Sequence, residues 1–376
     1  MGVFTSKLVD ARRRTQPCRT DDLCATQTGL RKGRSRWVAA CLISLAANPL
    51  AAETLRIATF AAPLSRDGPG LLLRDIRRGE DPQITAITDV ITCTNPDILL
   101  LTDFDYDLDG LALGAFADLL ETYPHSFAAR PNTGLETGLD MDGNGYTGDA
   151  RDAQGYGCFS GDGGMAILSL YPIGKLRDLS AILWKDVDDA TLPTLNGTLF
   201  PSEEAISIQR LSATGHWIVP ISMPNGPPLT LMAWSATPPV FDGPEDRNGL
   251  RNRDELRLWE NILRDENLSH FVILGNANLD PVDGQGNSAA MAAFLNHPLI
   301  QDPKPQSDGA AASANPSHQG NPATDTADWD GDVPGNLRVS YVLPSRDWQV
   351  LGAGTFWPIG ETLAGPHHLV WVDLQF

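Results

Sequence analysis

The chain of 376 residues contains 28 Lys and Arg against 47 Asp and Glu, which gives a formal net charge of −19. Residues 1–52 hold nine of the basic residues and three of the acidic ones, so residues 53–376 have a formal charge of −25. This charge repels phosphate backbones and argues against long nucleic acid as a partner. By length alone, the chain can form one large domain or two.

Residues 1–52 are predicted to be an N-terminal extension followed by a signal peptide. A basic segment at residues 31–36 precedes an apolar run at residues 37–50, and Ala52 closes a plausible cleavage site. The apolar run is shorter than the ~20 residues of a transmembrane helix. We therefore expect export, cleavage near Ala52, and a mature chain without a transmembrane helix. An N-terminal anchor that is never cleaved is the alternative.

Residues 53–376 are predicted to form one α/β domain, because short apolar runs alternate with a few segments of helical periodicity. The predicted strands are residues 55–60, 98–102, 164–170, 205–211, 216–221, 229–235, 271–274, 337–343, 348–351 and 369–374. The predicted helices are residues 82–94, 253–264 and 288–295. Residues 303–335, rich in Ala, Ser, Asn, Gly and Pro, are predicted to be a surface loop inserted in this domain.

Cys93 and Cys158 are the only cysteines after residue 52. In an exported protein they can form a disulfide, and two buried thiols are the alternative. Their spacing is not that of a zinc site.

A strand followed by alternating polar residues lies at 271–280. The apolar run ends at Gly275, and Asn276, Asn278 and Asp280 follow at alternate positions. Alternate residues of an extended segment point the same way, so this segment is predicted to present a polar cluster at a strand end.

Similar strand ends occur in a defined order along the chain. Ala61 follows the first strand, Asp103 ends Pro-Asp-Ile-Leu-Leu-Leu-Thr-Asp, and a Leu-Tyr-Pro turn closes the strand at 164–170. Three more positions are Ser235 in Ala-Trp-Ser, Ser340 in Arg-Val-Ser-Tyr, and His367 in Gly-Pro-His.

This series resembles the endonuclease/exonuclease/phosphatase superfamily, whose central strand ends in Gly-Asp-Phe-Asn. Residues 237–248 look like a segment of an exported bacterial branch of that superfamily. The resemblance implies a four-layer αββα sandwich of the deoxyribonuclease I type, with two packed, mainly antiparallel sheets flanked by helices. It also implies descent from a divalent-metal-dependent phosphoester hydrolase.

The family positions with catalytic roles correspond here to Asp103, Asn276, Asn278 and His367. At four other positions the family's polar residues are replaced, by Ala61, Ser235, Ser340 and Pro366. Phosphoester hydrolysis in this family needs a metal held by carboxylates and a base that activates water. Asn276 cannot act as that base, and Pro366 removes the acidic partner of His367.

These replacements predict an inactive or weakly active family member. The alternative is an active phosphodiesterase or phosphatase that acts on a small phosphoester through a rearranged site, and only then is Mg²⁺ or Mn²⁺ expected. A third possibility is a structural envelope protein that holds Ca²⁺.

Residues 140–152 begin with the D-x-D-x-N-G pattern of calcium-binding loops. We expect a structural Ca²⁺ with ligands from Asp140, Asp142, Asn144 and Asp149. Because Arg151 occupies the twelfth position, Asp152 is the alternative to Asp149 as the completing ligand. A metal-free surface turn is the competing interpretation.

A second acidic loop, residues 103–110, has aspartate at every other position. If this segment is extended, its four carboxylates share one face and repel one another unless a cation lies among them. A metal site and a solvated strand end are both compatible with this pattern.

Overall fold

The structure, a computed structural model, describes residues 54–375 except 225, 330, 332, 361 and 362. The predicted extension and signal peptide at residues 1–52 lie outside the described residues. Among the helices of the described part, none combines the length and apolar character needed to cross a membrane.

Strands from both ends of the domain form the first sheet, with strand order β12-β13-β1-β2-β4-β3. The parallel pair β1 and β2 lies at its centre, and the other neighbours are antiparallel. Its strands are β1 (Leu55–Leu64), β2 (Ile98–Phe104), β3 (His125–Ala128), β4 (Gly164–Ser169), β12 (Gln349–Phe356) and β13 (Leu369–Gln375).

The second sheet has the order β11-β10-β9-β8-β5, again with one parallel pair, β9 and β10. Its strands are β5 (Arg177–Asp178), β8 (Gly215–Ile221), β9 (Leu229–Ser235), β10 (Phe271–Asn276) and β11 (Ser340–Pro344). A small hairpin of β6 (Thr194–Leu195) and β7 (Thr198–Leu199) lies apart from both sheets.

The helices lie outside the two sheets. They are α1 (Leu71–Arg78), α2 (Pro82–Thr94), α3 (Leu111–Leu120), α4 (Glu203–Ile208), α5 (Arg247–Asp265), α6 (Ser288–Leu295) and α7 (Asp308–Ala312). Short 3₁₀ turns occur at Trp184–Asp186 and Pro322–Thr324.

Three hydrophobic clusters account for the layers. Between the sheets, residues such as Ile57, Leu100 and Leu274 are fully buried. A second cluster joins the outer face of the first sheet to α1, α2 and α3, and a third joins the outer face of the second sheet to α5 and α6. The four-layer sandwich of two mainly antiparallel sheets is therefore confirmed.

The prediction of a strand at residues 205–211 is wrong. Ser202 accepts a hydrogen bond from the Ala205 backbone N–H at 3.1 Å, which caps the helix α4. Two glutamates in the first turn favour this helix through its dipole. Alternating small and apolar residues imitated the period of a strand over this one turn.

Residues 103–110 do not form one extended segment, the condition under which their four carboxylates would share a face. Asp103 has a left-handed backbone with φ 62°, and β2 ends at Phe104. Asp107 accepts hydrogen bonds from the Leu111 and Ala112 backbone N–H groups, both at 2.8 Å, at the start of α3. The four aspartates therefore do not share one strand face.

Neither prediction for the cysteines holds. Cys93 is half-buried and Cys158 is exposed, and no disulfide joins them in the described structure.

The predicted surface insertion at 303–335 contains α7 and the turn Pro322–Thr324. Ala310 of α7 is buried, and a Cβ on Gly309 would lie 2.1 Å from the Trp357 carbonyl oxygen. Ala327 forms β-bridges with both Leu337 and His367, so part of the segment packs against the polar strand ends.

Candidate functional site

The strand registers bring the polar strand ends together. Asn276 at the end of β10 lies between Ser235 of β9 and Ser340 of β11. In the facing sheet, Ala61 of β1 pairs with Thr102 of β2, directly before Asp103. Because parallel strands end at the same edge of a sheet, the ends of β9 and β10 open on one side of the sandwich.

A cavity of about 1780 Å³ lies at this edge. Six of the predicted positions line it: Ala61, Asp103, Ser235, Asn276, Asn278 and His367. Ser340 is buried beside Asn276, and its hydroxyl has no hydrogen-bond partner among the described residues. Pro366 is exposed, and its carbonyl oxygen accepts a hydrogen bond from the Asp328 backbone N–H at 2.7 Å.

Asn278 connects the ends of two neighbouring strands. Its side-chain amide donates to the Ala236 carbonyl oxygen at 2.8 Å, and its backbone N–H donates to the Asn276 side chain at 3.3 Å. Its φ of 50° lies in the left-handed region, which asparagine adopts more readily than most residues. Asn278 therefore stabilises the loop as well as lining the cavity.

Asp280 has a structural role. Its carboxylate accepts hydrogen bonds from the backbone N–H groups of Val282, Asp283 and Arg338 at 2.7, 2.8 and 2.7 Å. These bonds join the loop after β10 to the segment before β11.

Asp103 is the carboxylate of the strand-end set that remains suited to proton transfer. Burial raises its pKa to about 6, against a hydrogen bond with Ser65 that lowers it. The neighbouring Asp105 is buried as well, and the same cause raises its pKa to about 7. Asp105 accepts backbone hydrogen bonds from Arg66 and Gly163, so it holds two loops together.

His367 lies against an aromatic ring. The Trp329 ring stands edge-on to the imidazole, with centroids 5.2 Å apart and planes at 86°. Nδ1 of His367 is enclosed and has no hydrogen-bond partner among the described residues. Burial lowers the pKa of this histidine to about 4, so the ring is neutral at physiological pH. The adjacent His368 stacks on Trp357 at 3.9 Å.

The strand ends do not fit a metal site built from several carboxylates. Mg²⁺ and Mn²⁺ prefer oxygen ligands in octahedral geometry, with charge supplied by carboxylates. Asp103 and Asp280 both line the cavity, but they belong to no group of three potential ligands with metal-binding spacing in the described structure. In the described structure, the one group of three acidic or histidine side chains with metal-binding spacing lies elsewhere.

That group is in the loop 140–152. Oxygens of Asp140, Asp142 and the fully buried Asp152 lie within 4.8 Å of one another. Asp149 is not part of the group, and its carboxylate accepts hydrogen bonds from Asn144 and Arg151. Of the two candidates for the completing ligand, the structure brings Asp152 to the other two aspartates. The trio can bind a metal ion.

Two arginines of the cavity lie on α5, ahead of the predicted helix. Arg247 and Arg251 on α5 line it although they are only 8% and 3% exposed. The predicted helix began at residue 253, after both of them, whereas α5 begins at Arg247. Their spacing of four residues, continued by the buried Glu255, was the available signal for one polar face on this helix.

The cavity also has an apolar rim. Tyr156, Phe241 and Val333 line it while being 67%, 80% and 83% exposed. Asp142 of the acidic loop also lines the cavity. The cavity thus combines polar strand ends, buried cations and exposed apolar side chains.

Two mixed sheets between helices, with a polar cavity where the strands end, define a protein of the deoxyribonuclease I-like α/β fold. The sequence matches the Endonuclease/Exonuclease/phosphatase family over residues 72–365, and the chain belongs to this family.

Solved structures of the same fold agree with this assignment. An endonuclease/exonuclease/phosphatase from Beutenbergia cavernae DSM 12333 is 16% identical, with a TM-score of 0.53, over 86% of this chain and 72% of that chain. Sphingomyelinase C from Streptomyces griseocarneus is 15% identical, with a TM-score of 0.50, over 85% and 99%. At these identities the likeness concerns the fold alone. A search of curated proteins gave no match.

Proposed function

We propose that this protein is an exported family member that binds a small phosphoester in its cavity and hydrolyses it slowly or not at all. The environment of His367 carries the proposal. Its Nδ1 meets no carboxylate among the described residues, and its pKa of about 4 keeps it neutral. A catalytic histidine needs an acidic partner that orients the ring and stabilises its protonated form.

The other strand-end residues support the same conclusion. Ala61 offers no polar group, Ser235 is too short to replace a histidine, and Asn276 cannot accept a proton at neutral pH. Loss of one such group typically lowers a rate by about 10² to 10⁴. The losses are not additive, but together they remove most of the chemistry that the family uses.

Export and metal binding complete the proposal. The basic and apolar segments before Ala52 favour export and cleavage there. Mass spectrometry of the N-terminus of protein recovered from the periplasm of a bacterial host tests this, and an intact N-terminus contradicts cleavage.

Loop 140–152 is proposed to hold a structural Ca²⁺, while Mg²⁺ or Mn²⁺ is expected only if the protein is catalytic.

Hydrolysis assays test the loss of catalysis. The purified protein is compared with a variant that restores the family residues: Ala61→Asn, Ser235→His, Asn276→Asp, Ser340→Asp and Pro366→Asp. Both are assayed on a generic phosphodiester and a phosphomonoester with Mg²⁺, Mn²⁺ and Ca²⁺. We expect slow or no metal-dependent turnover by the natural sequence and faster turnover by the variant, provided that thermal unfolding shows the variant to be folded. Metal-dependent turnover by the natural sequence that equals or exceeds that of an active variant contradicts the proposal.

One observation favours a second candidate function, a weak hydrolase with Asp103 as its base. A carboxyl group with a pKa of about 6 is suited to accept a proton near neutral pH, and Asp103 lies in the same cavity as Asn276 and Asn278. This candidate predicts activity that rises through about pH 6 and is lost in Asp103→Asn. A pH-independent rate in the natural sequence excludes Asp103 as the base.

A further inference from the structure

Two buried arginines line the cavity without an ion pair, and the fully buried Glu255 on the same helix acts on Arg251 through its charge. Arg247 and Arg251 are 8% and 3% exposed, and neither forms an ion pair with a carboxylate of the described residues. Charged groups that are buried in proteins are normally paired, because removal from water costs several kcal/mol per ion. In a chain with this excess of acidic residues, two arginines without ion pairs in one cavity point to an anion that is supplied from outside.

The two arginines are held differently. Arg251 donates from Nε to the Leu211 carbonyl oxygen at 2.7 Å, and from Nη2 to carbonyl oxygens that include Gln154 at 2.6 Å. Its hydrogen-bonding capacity is largely used, and its contribution to a ligand is its charge. Burial lowers its pKa to about 10, so it remains a cation at neutral pH.

Arg247 retains free donors. Nη2 donates to the Gln209 side chain at 2.6 Å, which is the one hydrogen bond of this guanidinium in the described structure. Nε is enclosed and has no partner. A buried N–H without an acceptor is unfavourable, which favours an added hydrogen-bond acceptor beside this guanidinium.

The position of Arg247 adds to the attraction. It is the first residue of the 19-residue helix α5, where Asp246 makes no side-chain capping bond and the Asp242 carboxylate accepts a hydrogen bond from the Asn248 backbone N–H. Positive partial charge accumulates at a helix N-terminus, which favours anions there. Burial lowers the pKa of Arg247, and the charges of Asp142, Glu245, Asp152 and Asp242 oppose that shift, but none of these carboxylates is close enough for an ion pair. A compact oxyanion that accepts from Arg247 fits this arrangement better than a bulky one.

We propose that the cavity contains a phosphate subsite centred on Arg247 and supported by the charge of Arg251. The ligand class is a tetrahedral oxyanion with two negative charges, either inorganic phosphate or the phosphate group of a monoester, which the planar guanidinium can bind through two hydrogen bonds. This inference extends the proposed function, since it places phosphate recognition on α5 without requiring a metal at the strand ends.

Phosphate titrations without metal test the subsite. The purified protein, with EDTA present, is titrated with inorganic phosphate by calorimetry, and its melting temperature is measured in phosphate and in chloride of equal ionic strength. We expect binding and a melting temperature that increases with phosphate concentration. If chloride gives the same binding heat and the same increase in melting temperature as phosphate, the proposal is overturned.

Variants locate the bound anion. Arg247→Met is expected to weaken phosphate binding about 10- to 100-fold, whereas Arg264→Met, in the exposed last turn of the same helix, leaves it unchanged. Unchanged binding in Arg247→Met overturns the assignment. If Arg247→Met fails to fold, Arg247→Lys decides the question: the lysine keeps the charge but loses the second hydrogen bond, so unchanged affinity counts against the subsite.

Two further comparisons distinguish a phosphate monoester from free phosphate, and the phosphate subsite from the proposed loss of catalysis. Glycerol phosphate that binds more tightly than inorganic phosphate identifies a monoester as the ligand, and equal affinities identify free phosphate. Because EDTA prevents metal-dependent hydrolysis, this test is independent of turnover. Turnover by the natural sequence that equals or exceeds that of an active variant would contradict the proposed loss of catalysis but not the phosphate subsite. Absence of phosphate binding would contradict the subsite but not the loss of catalysis.

Discussion

Burial controls the protonation of the carboxyl groups beside the cavity. Burial raises the pKa of Asp103 to about 6, above the unfolded value near 3.8. The folded protein therefore binds this proton more tightly than the unfolded chain does. Stability consequently falls as pH rises from about 4 to 6, and the cost of the ionised group is fully present above pH 6.

Replacement of Asp103 by Asn should remove this cost. The amide carries no charge, and asparagine tolerates the left-handed φ of 62°. We expect Asp103→Asn to be more stable than the natural sequence at pH 7 by about 1–2 kcal/mol, with no gain near pH 4. Urea unfolding at both pH values measures this, with the exposed Asp109→Asn as control. An equal gain at the two pH values would show that burial of the charge is not the cause.

Helix α5 organises the strand ends that carry the site. Glu255 accepts hydrogen bonds from the backbone N–H groups of Ala213 and Thr237, both at 2.7 Å. Asn252 donates to the carbonyl oxygens of Thr237 and Ala277. One helix thereby fixes the segment before β8 and the segments after β9 and β10.

Glu255→Gln should weaken this connection. A glutamine places its NH₂ group against one of the two backbone N–H donors, which then lacks an acceptor. We expect a loss of about 1–3 kcal/mol in the free energy of unfolding, measured at pH 8, where the Glu255 carboxyl group with its pKa of about 7 is ionised. Glu260→Gln on the same helix is the control. A loss no larger than that of the control would contradict the role of Glu255.

Loop 140–152 offers a second test at the scale of one element. Asp140 and Asp142 are partly exposed, whereas Asp152 is buried and accepts hydrogen bonds from the backbone N–H groups of Met141 and Asp149. This geometry keeps three carboxylates together at a mutual electrostatic cost. A divalent cation would offset that cost.

Calcium should therefore stabilise the protein. At a Ca²⁺ concentration 100 times the dissociation constant, we expect a gain of about 2.7 kcal/mol, detected as an increase in melting temperature over EDTA. Asp140→Asn should remove most of the gain, and Asp118→Asn, on the exposed side of α3, should retain it. A gain that persists in Asp140→Asn would show that calcium binds elsewhere.

At the scale of the molecule, net charge limits the choice of ligand. Residues 53–376 have a formal charge of −25, so a long polyanion meets repulsion over most of the surface. A single phosphate group is small enough to reach the two buried arginines of the cavity. This difference favours a small phosphoester over nucleic acid.

Duplex DNA should accordingly bind very weakly. We expect no change in the anisotropy of a labelled duplex at physiological salt up to about 100 μM protein, a concentration at which ordinary nonspecific binding is detectable. Inorganic phosphate at the same ionic strength should still bind. Saturable duplex binding that weakens as salt increases would contradict this charge argument.

The structure confirms most of the helices and strands that were predicted from a strong periodicity of apolar residues. The helix at 82–94, the strand at 229–235 and the helix at 288–295 have the predicted bounds. The helices α1 and α3 were missed. Each follows a glycine with positive φ, and their short apolar repeats do not stand out from a loop.

The sequence by itself determined the layered fold, the order of the strand ends and the identity of the residues that they carry. These properties depend on local periodicity and on which residue occupies each position. Only the tertiary structure decided that Asp152 joins the acidic trio, that His367 faces Trp329, and that Arg247 and Arg251 lie unpaired in the cavity. Pairing, burial and pKa depend on groups that are distant in sequence, because desolvation and hydrogen bonding arise only when the chain is packed.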